Sequence, residues 1–404
     1  MSATFEKNLF AAAGKDFRSL MTAAFQAAGQ HPGDVEVRRL TDEDLQILVT
    51  ATDVADGNAL VDALIALGFE ERGNSGEHSE DPVKWQPASA AGVAPEGFYS
   101  TTHHHTEVFD GADWQVIPQQ RMDGCITRRE GLLACTKLRD VQVGDEVAIG
   151  MDGVRIRAEV ADESRPAFAF MSNDVSSERR AEVQIRAVVE LARAARENGK
   201  KIVWVPGPVV VHTGAANDLA QLVAAGWVDA VLSGNALAVH DIESQLHGTS
   251  LGVSVTDGSV VEHGHSHHMR AINRIREQGS IEAAVASGVL EGGLMHALVQ
   301  HQIPFVLAGS IRDDGPLPET MMDLIDAQDR YASQLQDAGL VIILASMLHG
   351  IGVGNMLPGS VPLVCVDIHP AVATKLADRG SAQALGIVTD VGLFVRTLRE
   401  QLIG

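Results

Sequence analysis

Short loops that join glycine to Asp, His or Asn recur in the second half of this chain, each directly after a run of aliphatic, β-branched residues. They are Ser233-Gly234-Asn235-Ala236 running on to Asp241, Gly309-Ser310-Ile311-Arg312-Asp313-Asp314-Gly315, Ser346-Met347-Leu348-His349-Gly350 running on to Asn355, Asp367-Ile368-His369-Pro370, and Thr389-Asp390-Val391-Gly392. A Gly/Asn turn that opens a helix presents free amides able to hold a phosphate. Two adjacent acids in a Gly/Pro-bounded loop can bind ribose hydroxyls or an ammonium group. An acid at a strand end, as at Asp367, fits the adenosine ribose diol of NAD and opposes a 2′-phosphate. In open α/β sheets, ligands bind outside the carboxyl ends of the strands, which is where these loops fall.

The fingerprint G-x-G-x-x-G is absent. Gly350-Ile351-Gly352-Val353-Gly354-Asn355 comes near it but carries Asn at the third glycine position, so a dinucleotide cradle must be spread over several loops. No P-loop and no G-x-S-x-G elbow occurs. Cys365 lies inside an apolar strand and reads as a small buried hydrophobe, while Cys125 and Cys135 have no histidine at meaningful spacing. The run His103-His104-His105 and the group His263, His265, His267 and His268 lack the H-x-x-x-H spacing and nearby acid of a zinc helix. No metal is expected.

The elements that must position these loops alternate in type. Lys201–Val205, Val228–Ser233, Pro304–Ala308, Leu340–Ala345, Pro362–Asp367 and Gly386–Thr389 are near-continuously apolar, as parallel strands covered on both faces require. Helical periodicity lies between them, as over Glu319–Gln336. Residues 175–404 therefore read as a doubly wound, parallel-sheet dinucleotide-binding domain. Residues 1–90 show a β-α-β-β-α-(β) order, with helices over Asp16–Ala28 and Ala55–Leu67, which predicts a ferredoxin-like α+β module. Glu71–Pro95 reads as a linker. Residues 96–165 read as a small β-rich domain, and Asp162–Arg180 as a polar connection.

The bulk properties exclude several classes. The chain has 404 residues with 45% apolar and 21% charged side chains, enough for two or three domains. Its formal net charge of −22 argues against nucleic acid or an anionic membrane as partner. Three cysteines without metal-type pairing suit a reduced compartment. The N-terminus lacks a signal-peptide pattern, and no apolar run approaches the ~20 residues of a membrane span. A cytoplasmic protein is expected. The N-terminal module and Ala-rich helices suggest a homo-oligomer.

The segments Glu96–Thr102, Gly207–Gly214, Gly234–Glu243, Leu307–Pro318 and Asp378–Gly392 resemble the lysine-ketoglutarate reductase/saccharopine dehydrogenase conserved-region family. That family includes the archaeal-type ornithine cyclodeaminase and the C-terminal part of cyanobacterial arginine dihydrolase/ornithine cyclodeaminase fusions. The likeness is dense from Gly97 onward and looser over residues 1–90. The guanidine-hydrolysing domain of the fusions has no counterpart in this sequence, so arginine is not the expected substrate. The loop order is also similar to the NAD domain of deoxyhypusine synthase.

The resemblance implies an NAD-dependent conversion of L-ornithine to L-proline and ammonia, with the hydride recycled internally. Such chemistry needs a carboxylate to move amine protons. Asp313 and Asp314 are the first candidates and Asp123 the second. Arg121 or Arg312 would hold the substrate carboxylate, and Tyr99, Thr101 and His103 would line the substrate. The cofactor would lie against Gly234, Asn235, Ala236, Asp241, Ser310, Ser346, Met347, Leu348, His349, Asn355, Asp367, Ile368 and Asp390. The alternatives are a dehydrogenase or deaminase acting on another diamino acid such as lysine, and a non-catalytic amino-acid/NAD sensor.

Overall fold

A computed structural model describes residues 5–12, 24, 34–39, 44–51, 53–71, 81–102, 104–157, 177–254, 259, 261, 264–313, 315–370 and 384–404. The chain divides into two compact units. Unit 1 comprises Met1–Asn173 with Leu357–Ser360, and unit 2 comprises Asp174–Met356 with Val361–Gly404.

Unit 1 begins with β1 (Phe5–Ala12), β2 (Asp34–Arg39), β3 (Asp44–Ala51), α1 (Val54–Ala66) and β4 (Glu70–Glu71). Alternating apolar residues give β1 and β3 one buried face, where Leu9, Ile47 and Val49 meet Leu60 and Leu64 of α1. Asp53 starts α1 by accepting from the Ala55 amide at 2.7 Å. The strands pair antiparallel in the order β4-β1-β3-β2, the arrangement of a ferredoxin-like module. The helix expected over Asp16–Ala28 lies outside the described residues apart from Ala24, which is helical.

The β-rich segment supplies β5 (Lys84–Pro87), β6 (His105–Phe109), β7 (Trp114–Val116), β8 (Gly124–Arg129), β9 (Leu132–Lys137), β10 (Glu146–Ile149) and β11 (Val154–Arg157). Here the expected partition changes. β11 pairs with β2, so β11, β6 and β7 extend the ferredoxin-like sheet to seven strands. The boundary expected between residues 90 and 96 falls inside one unit, because an edge strand left open on β2 is completed by the later segment. The expected linker Glu71–Pro95 contains β5, which pairs with β10 in a second sheet ordered β5-β10-β8-β9.

Unit 2 alternates helices and strands: α2 (Ser177–Glu197), β12 (Lys201–Pro206), α3 (Val209–His212), α4 (Ala216–Ala224), β13 (Ala230–Gly234), α5 (Asn235–His247) and the short β14 (Thr249–Ser250) and β15 (Val253–Ser254). There follow α6 (His267–Gln278), α7 (Ile281–Ala286), α8 (Gly293–Gln300), β16 (Phe305–Ala308), β17 (Thr320–Met321) and α9 (Leu324–Gln334). The unit ends with β18 (Ala338–Leu344), α10 (Met347–Met356), β19 (Leu363–Asp367), β20 (Ala384–Val388) and α11 (Val391–Ile403). Every pairing in the main sheet is parallel, in the order β17-β16-β13-β12-β18-β19-β20. The chain winds outward from β12 to one edge, returns to β18, and winds to the other. The order reverses between β12 and β18, which makes their carboxyl ends the topological switch point. Near-continuous burial along β12, β18 and β19 follows from cover on both faces.

Candidate functional site

The carboxyl ends of the parallel strands form a crest, and backbone closeness defines its centre. The amide of Gly207, just past β12, donates to the Leu344 carbonyl of β18 at 2.7 Å. A Cβ on Gly207 would overlap the Ala345 carbonyl oxygen, so only glycine lets the two strand ends meet. Ala345 itself has φ 44, a left-handed turn that carries the chain out of β18 and into α10.

Gly234 ends β13 beside this point. A Cβ there would lie 2.8 Å from His349 Cε1, so the imidazole of α10 packs on bare backbone. His349 Nδ1 is 3.2 Å from Ser346 Oγ, and its ring centroid is 6.2 Å from that of Tyr331. Burial holds the His349 imidazole below its ordinary pKa, so it is neutral at neutral pH. The Tyr331 hydroxyl donates to the Ser233 carbonyl at 2.6 Å, and the Ser233 hydroxyl donates to the Pro206 carbonyl at 2.6 Å. Gly207 and Tyr331 were not anticipated as crest residues, and Ser233, which opens the first of the expected loops, was not among the expected site residues. Only the Gly-Pro pair after β12 hinted at the first.

Two of the expected loops meet through Asn235. Its Nδ2 donates to Asp313 Oδ1 at 3.1 Å, and its Oδ1 accepts from the Leu317 amide (3.1 Å) and the Thr320 hydroxyl (2.9 Å). The Ser310 amide donates to the second Asp313 oxygen at 2.7 Å. Asp313 is thus held at the crest by both oxygens. Arg312 is exposed in the same loop, and Asp314 lies outside the described residues.

The first turn of α10 follows the switch point. Helix geometry leaves its leading amides, those of Met347, Leu348 and His349, without partners inside the helix. The Met347 and Leu348 side chains are exposed and Ser346 is buried. At the end of β19, Asp367 is nearly buried, and one oxygen accepts from the His369 amide at 2.8 Å. Ile368 beside it is exposed. Ala236 is exposed in the first turn of α5.

Three expected cofactor residues take other roles. Asp241 is fully buried and caps α8, accepting from the Leu294 (2.9 Å) and Met295 (2.8 Å) amides. Asp390 caps α11 through the Leu393 amide at 2.9 Å. Asn355 sits near the C-terminal end of α10, because Gly350–Asn355 is helix rather than a phosphate loop. Gly350 serves packing there: a Cβ would meet the Ile343 side chain of β18 at 2.9 Å.

The expected substrate residues of unit 1 cluster around one turn. The Thr101 hydroxyl donates to the Arg121 carbonyl (2.8 Å) and accepts from the Gly124 amide (2.9 Å), so it is committed to the turn itself. Asp123 is exposed with φ 59, and its amide donates to the Thr101 carbonyl at 3.1 Å. Arg121 is half-buried, Tyr99 packs in the core of the β-rich half, and His103 lies outside the described residues. Among the described residues no group of three or more His, Cys, Asp or Glu could hold a metal ion.

A family model described as "Arginine dihydrolase ArgZ-like, C-terminal, Rossmann fold" matches residues 186–398, and its "first region" partner matches residues 105–185. The chain belongs to the ArgZ-like C-terminal family. Among the relatives of this ArgZ-like chain is an ornithine cyclodeaminase of Methanocaldococcus jannaschii, 45% identical over 90% of this chain and 87% of that one. Another is the bifunctional arginine dihydrolase/ornithine cyclodeaminase AgrE of Nostoc, 51% identical over 80% of this chain but 47% of that protein. The ArgZ-like chain spans about half the length of such bifunctional relatives. The crystal structure of the ternary complex of AgrE with ornithine and NAD⁺ matches all of this chain and 58% of that one, at 40% identity and a TM-score of 0.54.

Proposed function

We propose that this chain is an NAD-dependent ornithine cyclodeaminase that converts L-ornithine to L-proline and ammonia. The observation that carries the reading is the topological switch point after β12 and β18, which is followed by the free leading amides of α10 and has Asp313 held by Asn235 and Ser310 at the neighbouring strand ends. The relatives named ornithine cyclodeaminase, and the AgrE complex with ornithine and NAD⁺, support the choice of substrate and cofactor.

The residues at the crest fit a dinucleotide. The first-turn amides of α10 at Met347, Leu348 and His349 suit a pyrophosphate, and those of α5 at Asn235 and Ala236 offer a second anion-binding turn. The Asp367 carboxylate, oriented by the His369 amide, suits a ribose diol. When bound, NAD⁺ accepts a hydride from the substrate Cα and returns it before the product leaves.

The chain's own residues bind, orient and move protons. Asn235 and Ser310 fix Asp313 at the crest as a proton acceptor for a substrate ammonium. Arg312 in the same loop, or Arg121 of unit 1, holds the substrate carboxylate. Asp123 and Asp314 remain the further proton-handling candidates and His103 a substrate-lining one, while Thr101, committed to its turn, and Tyr99, packed in the core, leave that set. Asp241, Asp390 and Asn355 leave the cofactor set because of the structural roles described above. The reading extends to a cytoplasmic homo-oligomer that supplies proline.

Incubation of the purified protein with ornithine and NAD⁺ tests the reading. Proline and ammonia should form in equal amounts with no rise in NADH absorbance. A steady NADH rise with lysine or another diamino acid, and no proline from ornithine, would replace it with the dehydrogenase alternative.

A further inference from the structure

Unit 2 holds a second group of titratable side chains that the reading above does not use. Glu243 of α5 is fully buried, and four donors converge on its carboxylate. Oε1 accepts from the Thr249 hydroxyl (2.9 Å) and the Gly252 amide (3.1 Å). Oε2 accepts from His240 Nδ1 (2.9 Å) and the Leu251 amide (3.2 Å). Burial raises the Glu243 pKa, but the bonds from His240, Gly252 and Thr249 outweigh it and hold the group below its ordinary value. An ionised carboxylate only accepts hydrogen bonds, so His240 carries its proton on Nδ1. In the neutral ring its Nε2 then carries the lone pair, and no described residue hydrogen-bonds to Nε2.

The same logic orients the neighbours. Thr249 gives its one hydroxyl proton to Glu243 and so accepts from His267 Nδ1, 2.8 Å away. The His212 ring centroid lies 5.1 Å from that of His240, and His212 Nδ1 is 2.7 Å from the Ser250 hydroxyl. The titratable groups that face His240 are therefore His212 from α3, Glu243 from its own helix and, through Thr249, His267 at the start of α6. Placement matters as much as bonding. The helix that carries His212 begins after Gly207, and the helix that carries His240 begins after Gly234. The pair thus lies on the helices that leave the β12 and β13 ends, His212 five residues after Gly207 and His240 six after Gly234.

We propose that Glu243 and His240 form an oriented proton-accepting pair for the substrate amine, with His212 as its neighbour toward solvent. The proposal rests on the ornithine reading. A proton leaves the substrate ammonium for His240 Nε2, and the nitrogen keeps the electron pair it needs to attack carbon. The imidazolium that results is balanced by Glu243, whose position also fixes the ring. After ring closure the Nε2 proton passes to the second amine, the freed Nε2 takes the proton left on the ring nitrogen, and that nitrogen's electron pair forms the C=N bond as the C–N bond to neutral ammonia breaks. A carboxylate whose only duty was to pin the β14–β15 hairpin would not need an imidazole with an unused nitrogen.

His240→Asn separates the two roles. The amide still donates to Glu243, as Nδ1 does, but no second ring nitrogen remains. The proposal expects kcat for proline formation to fall about 100-fold or more, with KM and Tm close to wild type. A second measurement uses wild-type protein. Diethyl pyrocarbonate should label His240, and saturating ornithine with NAD⁺ should slow that labelling about tenfold. A His240→Asn enzyme within about threefold of wild-type kcat would overturn the proposal. So would labelling indifferent to ligand, which decides the matter if the variant does not fold. Failure of the wild type to make proline would instead overturn the ornithine reading, and the labelling would still report whether an amino acid covers His240.

Discussion

Asn235 Nδ2 donates to Asp313 Oδ1 across 3.1 Å and so joins the loop after β13 to the loop after β16. The same side chain accepts from Leu317 and Thr320, so one amide organises the whole Ser310–Thr320 turn. The position of the candidate catalytic carboxylate therefore depends on a residue on a different strand end.

Asn235→Ala should leave the Leu317 amide and Thr320 hydroxyl unsatisfied and release Asp313. Buried groups that lose a partner cost about 1–3 kcal/mol, visible as a lower urea midpoint. Turnover should fall further than stability accounts for, because Asp313 loses its orientation. Asn235→Asp should not rescue it, since a second carboxylate would face Asp313. Wild-type kcat in either variant would remove Asn235 from the site.

Asp241 provides a pH test of structure. Burial pushes its carboxyl up to about 6, against the opposing hydrogen bonds from the Met295 and Leu294 amides. The folded state thus binds this proton more tightly than the unfolded chain. Its contribution is fully present below the unfolded value near 4 and is lost as pH rises through about 6, by an amount on the order of 3 kcal/mol. Asp241→Asn lacks that titration and sets an amide donor against one helix amide. Its stability deficit relative to wild type, measured by urea unfolding, should widen as pH falls from about 7 to about 4. A deficit that is flat with pH would show that Asp241 does not titrate in the fold.

Gly207→Ala places a methyl group on the Ala345 carbonyl. Overpacking of this kind costs about 1–3 kcal/mol. The two strand ends must part, so cofactor retention should fall along with Tm. Gly352→Ala, where no atom stands within reach of the new Cβ, is the control and should change neither.

Asp367→Ser tests the ribose assignment. Loss of the carboxylate should weaken NAD⁺ binding about tenfold or more and lessen discrimination against NADP⁺, read by titration calorimetry with both cofactors. Equal affinities in variant and wild type would place the adenosine ribose elsewhere.

Much of unit 2 was legible because its parallel strands are apolar on both faces, and such runs stand out in a chain of mixed composition. The loops at their carboxyl ends were found for the same reason. The strand order was not legible, since periodicity says how a segment is buried but not which strand lies beside it. Helical periodicity over Glu319–Gln336 says nothing of a long-range partner, yet the Tyr331 hydroxyl reaches Ser233, 98 positions away. The glycines at 350, 352 and 354 read as a loop. They lie in α10, where Gly350 makes room for Ile343.

The sequence by itself determined the alternating elements of unit 2, the ferredoxin-like order at the start, the parallel sheet at the end and the polar loops at its strand ends, but not β5 or the helix over Gly350–Asn355. What it determined follows from local periodicity and turn chemistry, which act between near neighbours. Tertiary structure alone decided what each acid does. Asp241, Asp313, Asp367 and Asp390 look alike as acids at or just beyond strand ends, but a carboxylate takes its role from the donors that surround it. For Asp241 those are the amides of α8, for Asp390 that of α11, and for Asp313 the side chain of Asn235.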